Sequence, residues 1–231
     1  MAQISQIIPT YNMIKTVART VDSCLGQDAP VFVIDDGSTD GTYEHLKERY
    51  GDKIHLYNME ENKGMAAAMN YVFQFVDTPF FTVIGADDWV DKDNIKNWIK
   101  QDLVDVNYCN GGGVKPVPPT DIRANIIKNI GSDRIKHCHQ FYTDTGRHLI
   151  DGIGCLCLKS DIIRKEKYDT NLRNKEGGEL LIRLALLGYE FRYFDFVGGY
   201  RDRIGKSSNQ KANDVAITYI KKKLNDFTIP R

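Results

Sequence analysis

Two pairs of adjacent acids stand just past apolar runs. Asp35 and Asp36 follow "PVFVI", and Asp87 and Asp88 follow "FFTVIGA". An ionised carboxylate only accepts hydrogen bonds and is a hard oxygen ligand, so these pairs suit N–H donors of a ligand or a divalent cation. Left alone at a sheet edge, four such groups would repel one another and suffer desolvation. A single Asp at a strand end often only forms a turn or caps a helix. Two pairs at matching strand ends are harder to reduce to that.

The elements that must position them alternate. "QISQIIP" reads as a strand broken by Pro9. "MIKTVARTVDSCLGQ" carries Ile14, Val17, Ala18, Val21 and Leu25 at helical spacing and closes on Gly26. "PVFVID" is a continuous apolar run, as in a strand covered on both faces. "TDGTYEHLKERYGD" is a second helix with Asp40 or Thr42 as N-cap. "KIHLYNM", "MAAAMNYVFQFVD" and "PFFTVIGADD" follow as strand, helix and strand. This order predicts an α/β fold, a mostly parallel sheet flanked by helices. Ligands of such sheets bind beyond the carboxyl ends of the strands, where both acid pairs fall. Three glycines and three prolines mark a loop or subdomain boundary near Asn110 to Pro119.

Composition narrows the classes. The 231 residues, 42% hydrophobic, suffice for one sizeable core. Lys plus Arg and Asp plus Glu both number 31, so no global charge draws the chain to nucleic acid or an anionic membrane. Five scattered cysteines, an odd number, fit a reducing cytosol. The N-terminus lacks the pattern of a signal peptide, and no window has the ~18 uninterrupted apolar residues of a membrane span. The expectation is a soluble cytoplasmic protein, with peripheral membrane association left open. "HCH" (His137 to His139) and "CLC" (Cys155, Cys157) lack zinc-site spacing, and Cys155 and Cys157 read as core residues.

"IIPTYN", "VFVIDDGSTDGT", "ENKGMAAAMN" and "FFTVIGADD" follow one another with the order and spacing of family 2 glycosyltransferases, which have the GT-A fold. "DGIGCLCLKSDIIRKEKYDTNL" resembles that family's strand after the acceptor loop, "KEGGELLIRLALLGYEF" its catalytic helix, and "YRDRIGKSSN" its Tyr-Arg…Ser ending. The resemblance covers nearly the whole chain. It implies an inverting transfer of a sugar from a nucleoside diphosphate, typically UDP, to an acceptor hydroxyl. Residues 1–109 would form the nucleotide-sugar half and 110–231 the acceptor-binding and catalytic-helix half of one domain. Pro9, Thr10 and Tyr11 would lie beside the base, with Tyr11 stacking on it. Asp36 would accept a hydrogen bond from the base. Asn62, Lys63 and Gly64 would pass near the nucleotide. Asp87 would contact the ribose and Asp88, with Asp87, would hold Mn²⁺ or Mg²⁺.

The chain departs from the family in two places. The catalytic helix usually opens Glu-Asp with the Asp as base; here it opens Glu176-Gly177. Glu176 and Glu179, one helical turn apart, remain as candidates, with Glu176 favoured. Where many members have a metal-binding His, this chain has Arg203, which with Arg201 can hold a diphosphate. The basic, aromatic segment after residue 123 would suit an anionic acceptor, a saccharide or nucleic acid, although a solvated helix face explains it as well. A sugar-nucleotide-binding module without catalysis is the alternative that Gly177 motivates. A nucleotidyltransferase is disfavoured, because "PTYNMIK" replaces the glycine-rich, Lys/Arg-bearing loop it needs. A dehydrogenase lacks its G-x-G-x-x-G.

Overall fold

The computed structural model describes residues 3–113, 156–201 and 210–225, with side-chain environments for 3–109, 156–200 and 214–223. The first hundred residues alternate as the sequence predicts: β1 (Ile4–Thr10), α1 (Val17–Leu25), β2 (Val31–Asp35), α2 (Thr42–Tyr50), β3 (His55–Asn58), α3 (Met65–Val72) and β4 (Phe80–Val83). Then come β5 (Trp89–Val90), α4 (Asn94–Ile99), β6 (Val106–Gly113) and β7 (Leu156–Lys159). The chain goes on through α5 (Ser160–Glu166), α6 (Glu176–Leu186), β8 (Phe191–Arg201) and α7 (Gln210–Asn225).

The strands form one sheet in the order β3-β2-β1-β4-β7-β6-β8-β5. β1 pairs in parallel with β2 and β4, and β2 with β3. Antiparallel β7 separates this half from the parallel β6–β8 pair. All five residues of β2 are buried, because helices cover both faces. On one face Ile8, Val31 and Val33 pack with Val17 and Val21 of α1 and Leu46 of α2. On the other, Ile7, Phe32 and Ile34 pack with Ala66 and Met69 of α3, Ile163 of α5 and Leu180 of α6.

Three expectations need correction. Pro9 does not break β1: it sits opposite Ile34 within the β1–β2 ladder. Gln6 donates its N–H to Pro30 on the β2 side, so by strand alternation the missing N–H of Pro9 faces β4. The β1–β4 pairing has already ended at Ile7–Val83, so no ladder bond is lost. The residue at the N-cap of α2 is Gly41 rather than Asp40 or Thr42. Asp40 still serves the helix start, since its Oδ1 accepts from the Thr42 N–H at 3.0 Å. Asn110 to Gly113 are not loop. They extend β6 and pair with β8 through register shifts around Asn110, where glycine-rich sequence suits a bulge. Positions 114–119, the "HCH" triplet and Cys155 lie outside the described residues. Cys157 is fully buried, as expected of a core cysteine.

Candidate active site

The carboxyl ends of β1, β2, β3 and β4 lie along one edge of the sheet and feed the loops that carry the candidate residues. Tyr11, just past β1, is 41% exposed. The next residue, Asn12, has a left-handed backbone (φ 53°) and joins this loop to the one after β2. Its N–H donates to Ser38 Oγ, and its Oδ1 accepts from the Thr39 N–H, both at 2.8 Å.

Asp35 and Asp36 are both buried, but they are used differently. Asp36 accepts the N–H of Lys63 on Oδ1 and that of Gly64 on Oδ2, each at 2.8 Å. It therefore anchors the loop that leads into α3, a task the sequence reading did not give it. Gly37 makes this docking possible: a Cβ there would meet the Glu61 carbonyl carbon at 2.7 Å and the Asn62 nitrogen at 2.8 Å. Asp35 accepts the Ser38 N–H on Oδ1 at 2.7 Å. Its Oδ2, and Oγ1 of its register partner Thr10, are buried without a hydrogen-bond partner among the described residues. Desolvation holds the Asp35 pKa above the usual carboxylate range.

Of the loop residues, Lys63 contributes backbone to Asp36, while its exposed ammonium lies 3.4 Å from Glu61. Asn62 is bound from a distant part of the chain: Arg173 Nη1 donates to Asn62 Oδ1 at 3.0 Å. The same guanidinium lies 3.0 Å from where a Cβ on Gly64 would stand. Gly64 has φ +89°, so it is doubly suited to glycine, and it is Arg173 that makes the close approach.

Asp87 and Asp88 lie on the turn after β4. Asp88 is 3% exposed, and its N–H donates to the Gly85 carbonyl. α1 grips this turn: Arg19 Nη2 donates to the Asp87 carbonyl and Thr20 Oγ1 to the Asp88 carbonyl, both at 2.6 Å. Arg19 also covers the Trp89 ring at 4.4 Å, and Trp89 stacks on Tyr200 of β8. Sequence reading missed Arg19 and Arg173, because neither belongs to a motif and each acts across a long sequence separation. An arginine within an otherwise apolar-periodic helix was the only available hint of Arg19. Two adjacent carboxylates fit a hard divalent ion that completes its shell with phosphate and water. Among the described residues no group of three or more His, Cys, Asp or Glu gathers around a metal position. Arg201 ends β8 and Arg203 lies outside the described residues.

Glu176 and Glu179 have different surroundings. Glu179 is fully buried in an ionic cluster. Arg183 donates Nε to its Oε1 at 2.8 Å and Nη2 to its Oε2 at 3.1 Å, and Lys223 of α7 approaches Oε1 at 2.9 Å. Lys223 also pairs with Asp169, whose pKa falls to about 2 because hydrogen bonds and nearby cation charge outweigh its burial. Glu179 thus fastens α6 to α7. Glu176, at the start of α6, is 7% exposed. Burial raises its pKa, opposed by its own backbone N–H and by the Arg173 charge. The approach to α6 is fixed by Asn70 of α3, whose side chain accepts from the Tyr168 N–H and donates to the Tyr168 carbonyl, both at 2.9 Å. Gly177 has open space where a side chain would stand.

Sequence comparison matches residues 5–165 to the model of glycosyl transferase family 2. The chain belongs to this family. It is 33% identical over 195 residues to the chondroitin synthase of Pasteurella multocida (strain Pm70) and to the hyaluronan synthase of Pasteurella multocida. Each match covers 76% of this chain and 19% of the relative, so the chain spans about a fifth of those proteins. In fold it is similar to S. aureus TarS 1-349 in complex with UDP-GlcNAc, with a TM-score of 0.65 and 21% identity over 89% of this chain and 60% of that one. It is also similar to the mannosyltransferase PcManGT from Pyrobaculum calidifontis in complex with GDP-Man and Mn²⁺, with a TM-score of 0.71 and 18% identity over 99% of this chain and 66% of that one. The GT-A fold is thereby established. Among the described residues no helix is long and apolar enough to cross a membrane.

Proposed function

We propose that the chain transfers a sugar from a nucleoside-diphosphate sugar, with UDP as the carrier, to an acceptor hydroxyl with inversion at the anomeric carbon. The observation that carries this reading is Glu176: a buried carboxylate of raised pKa at a helix start, three residues after the Arg173 that bonds the donor loop. The acceptor oxygen attacks the anomeric carbon, its proton passes to Glu176, and the bond to the diphosphate breaks as the nucleoside diphosphate leaves. A base whose pKa lies nearer the working pH takes that proton more effectively. Tyr11, Pro9 and Thr10 flank the base, and Asp36 accepts from it with lone pairs left over by the loop N–H groups. Asp87 would face the ribose, and Asp87 and Asp88 would hold Mn²⁺ or Mg²⁺, with Arg201 and Arg203 on the diphosphate. Bound there, such an ion would supply positive charge for the leaving diphosphate. Residues 1–109 serve the donor and 110–231 the acceptor, with the two halves joined in one sheet.

The test is turnover across a panel of UDP- and GDP-sugars with saccharide acceptors, with Mn²⁺ or with chelator, followed by NMR of the product anomer. An inverted product from a UDP donor is expected. Asp88→Asn should lose most metal-stimulated turnover and remain folded. Full turnover in chelator removes the metal role and leaves the arginines as the diphosphate clamp. Gly177 favours a second reading, a binding module without transfer, for which donor binding without turnover on any acceptor is the signature.

A further inference from the structure

Arg173 belongs to no motif, yet it is where two motifs meet. It bonds Asn62, 111 residues before it, and its charge acts on Glu176, three residues after it. Its aliphatic and guanidinium atoms lie over Gly64, whose N–H is held by Asp36. Arg173 itself is exposed, so the apolar core does not require it. The segment before it is held by the Asn70–Tyr168 pair. The titratable and charged groups acting on Glu176 are Arg173, which favours the carboxylate, and Tyr168, a buried phenol whose pKa burial and the Glu176 charge both raise.

We propose that Arg173 is a positioning residue that locks the donor loop to the start of α6, so that the Asn62–Gly64 turn and the Glu176 carboxylate keep one register. The proposal rests on the transfer reading above. Its physical basis is geometry plus charge. The Asn62 bond sets where the donor loop ends, and the guanidinium charge favours the ionised form of a desolvated carboxylate, the form a proton acceptor needs. One residue thereby links donor seating to base readiness. It also answers the missing Asp at position 177: in place of a second carboxylate at the helix start, this chain has a cation beside the first.

The test uses the intact chain and three variants. Proteins carrying ¹³C-labelled glutamate are titrated by NMR, with the Glu176 signal assigned as the one missing from Glu176→Gln. Donor KM and kcat are measured over the same pH range. In Arg173→Gln the Glu176 midpoint should move upward, the acid limb of kcat/KM should move with it, and donor KM should rise about two- to tenfold. Kcat on the alkaline plateau should stay within about twofold, because Glu176 is ionised there in both proteins. Arg173→Lys should restore the midpoint without restoring KM, since an ammonium keeps the charge but not the fork. Asn62→Ala should raise KM and leave the midpoint alone. An unmoved midpoint together with unchanged donor KM in Arg173→Gln overturns the proposal and makes Arg173 a solvated surface residue. The NMR midpoint needs no turnover. An inactive wild type with a shifted midpoint in Arg173→Gln therefore retires the transfer reading and keeps the pairing.

Discussion

The acids at the tip of β2 and those at the start of α6 solve the same problem with opposite local geometry. Asp35 and Asp36 are neighbours at a strand end, where successive side chains diverge. Glu176 and Glu179 are three apart on a helix, where side chains normally lie on one face. In each pair one carboxylate is bound on both oxygens by protein donors. Asp36 holds the N–H groups of Lys63 and Gly64, and Glu179 holds Arg183 and Lys223. The other member of each pair, Asp35 or Glu176, is buried with fewer donors and a raised pKa. What separates the two members of each pair is the supply of donors, which spacing does not reveal. The donors also differ in kind. Backbone N–H groups make Asp36 a loop anchor, whereas two cationic side chains make Glu179 an ionic bolt between helices.

The widest break in this comparison is expected within the helix pair. Glu176→Gln keeps the shape and removes the basicity, so turnover should fall about 10²–10⁴-fold with donor affinity nearly unchanged. The same variant should alter stability with a definite sign. The folded pKa of Glu176 is raised, so its neutral form supports the fold at low pH and that support is lost as pH rises through the folded midpoint. Glu176→Gln should therefore melt at a higher temperature than wild type near pH 7 and about equally near pH 4. Calorimetry at the two pH values reads this directly; a variant less stable at pH 7 contradicts the burial argument.

Glu179→Ala should act the other way. It leaves Arg183 and Lys223 facing a buried gap, a loss of about 3–5 kcal/mol in denaturant unfolding. Below its unfolding temperature the variant should keep kcat within a few-fold. A collapse of kcat with stability intact would move the base from Glu176 to Glu179.

At the strand end, Asp36→Ala should weaken donor binding about 10- to 100-fold in calorimetric titration, through loss of a charge-assisted acceptor and of the loop anchor. Asp35→Asn should instead leave the loop in place and stabilise the fold at neutral pH, because an amide removes the cost of a buried charge. Equal donor affinity in Asp36→Ala and wild type would separate the loop anchor from the base site.

The smallest effect, and the sharpest, is expected at Gly177. A side chain there meets nothing within 4 Å, so Gly177→Asp should fold normally. It places a second carboxylate at a helix start, where the dipole favours negative charge. A gain or loss of turnover of about two- to fivefold, with the acid limb shifted, would show that position 177 still faces the reacting groups. No change at all would confine the chemistry to Glu176.

Much of this was legible in the chain itself. Periodicity and turn residues gave β1 to β4 and α1 to α3 nearly in full, because those elements are local and carry clean apolar patterns. The four carboxylates at strand ends followed from the same pattern, since parallel strands bring their carboxyl ends to one edge. Pro9 was misread because its tolerance depends on where β4 stops, which is a property of a neighbouring strand. Asn110 to Gly113 were misread because their strand character comes from β8, nearly ninety residues later.

The sequence alone determined the family, the alternating fold and the order of the acid pairs, because these depend on residue types and short-range spacing. The tertiary structure decided which donors each acid receives. Arg183 reaches Glu179 within its own helix and Arg173 lies three residues from Glu176, but Lys223 and the N–H groups of Lys63 and Gly64 arrive from elements far away in sequence. Whether a carboxylate is anchored, paired or left to take a proton depends on which donors folding brings within hydrogen-bond distance, and no local pattern encodes that.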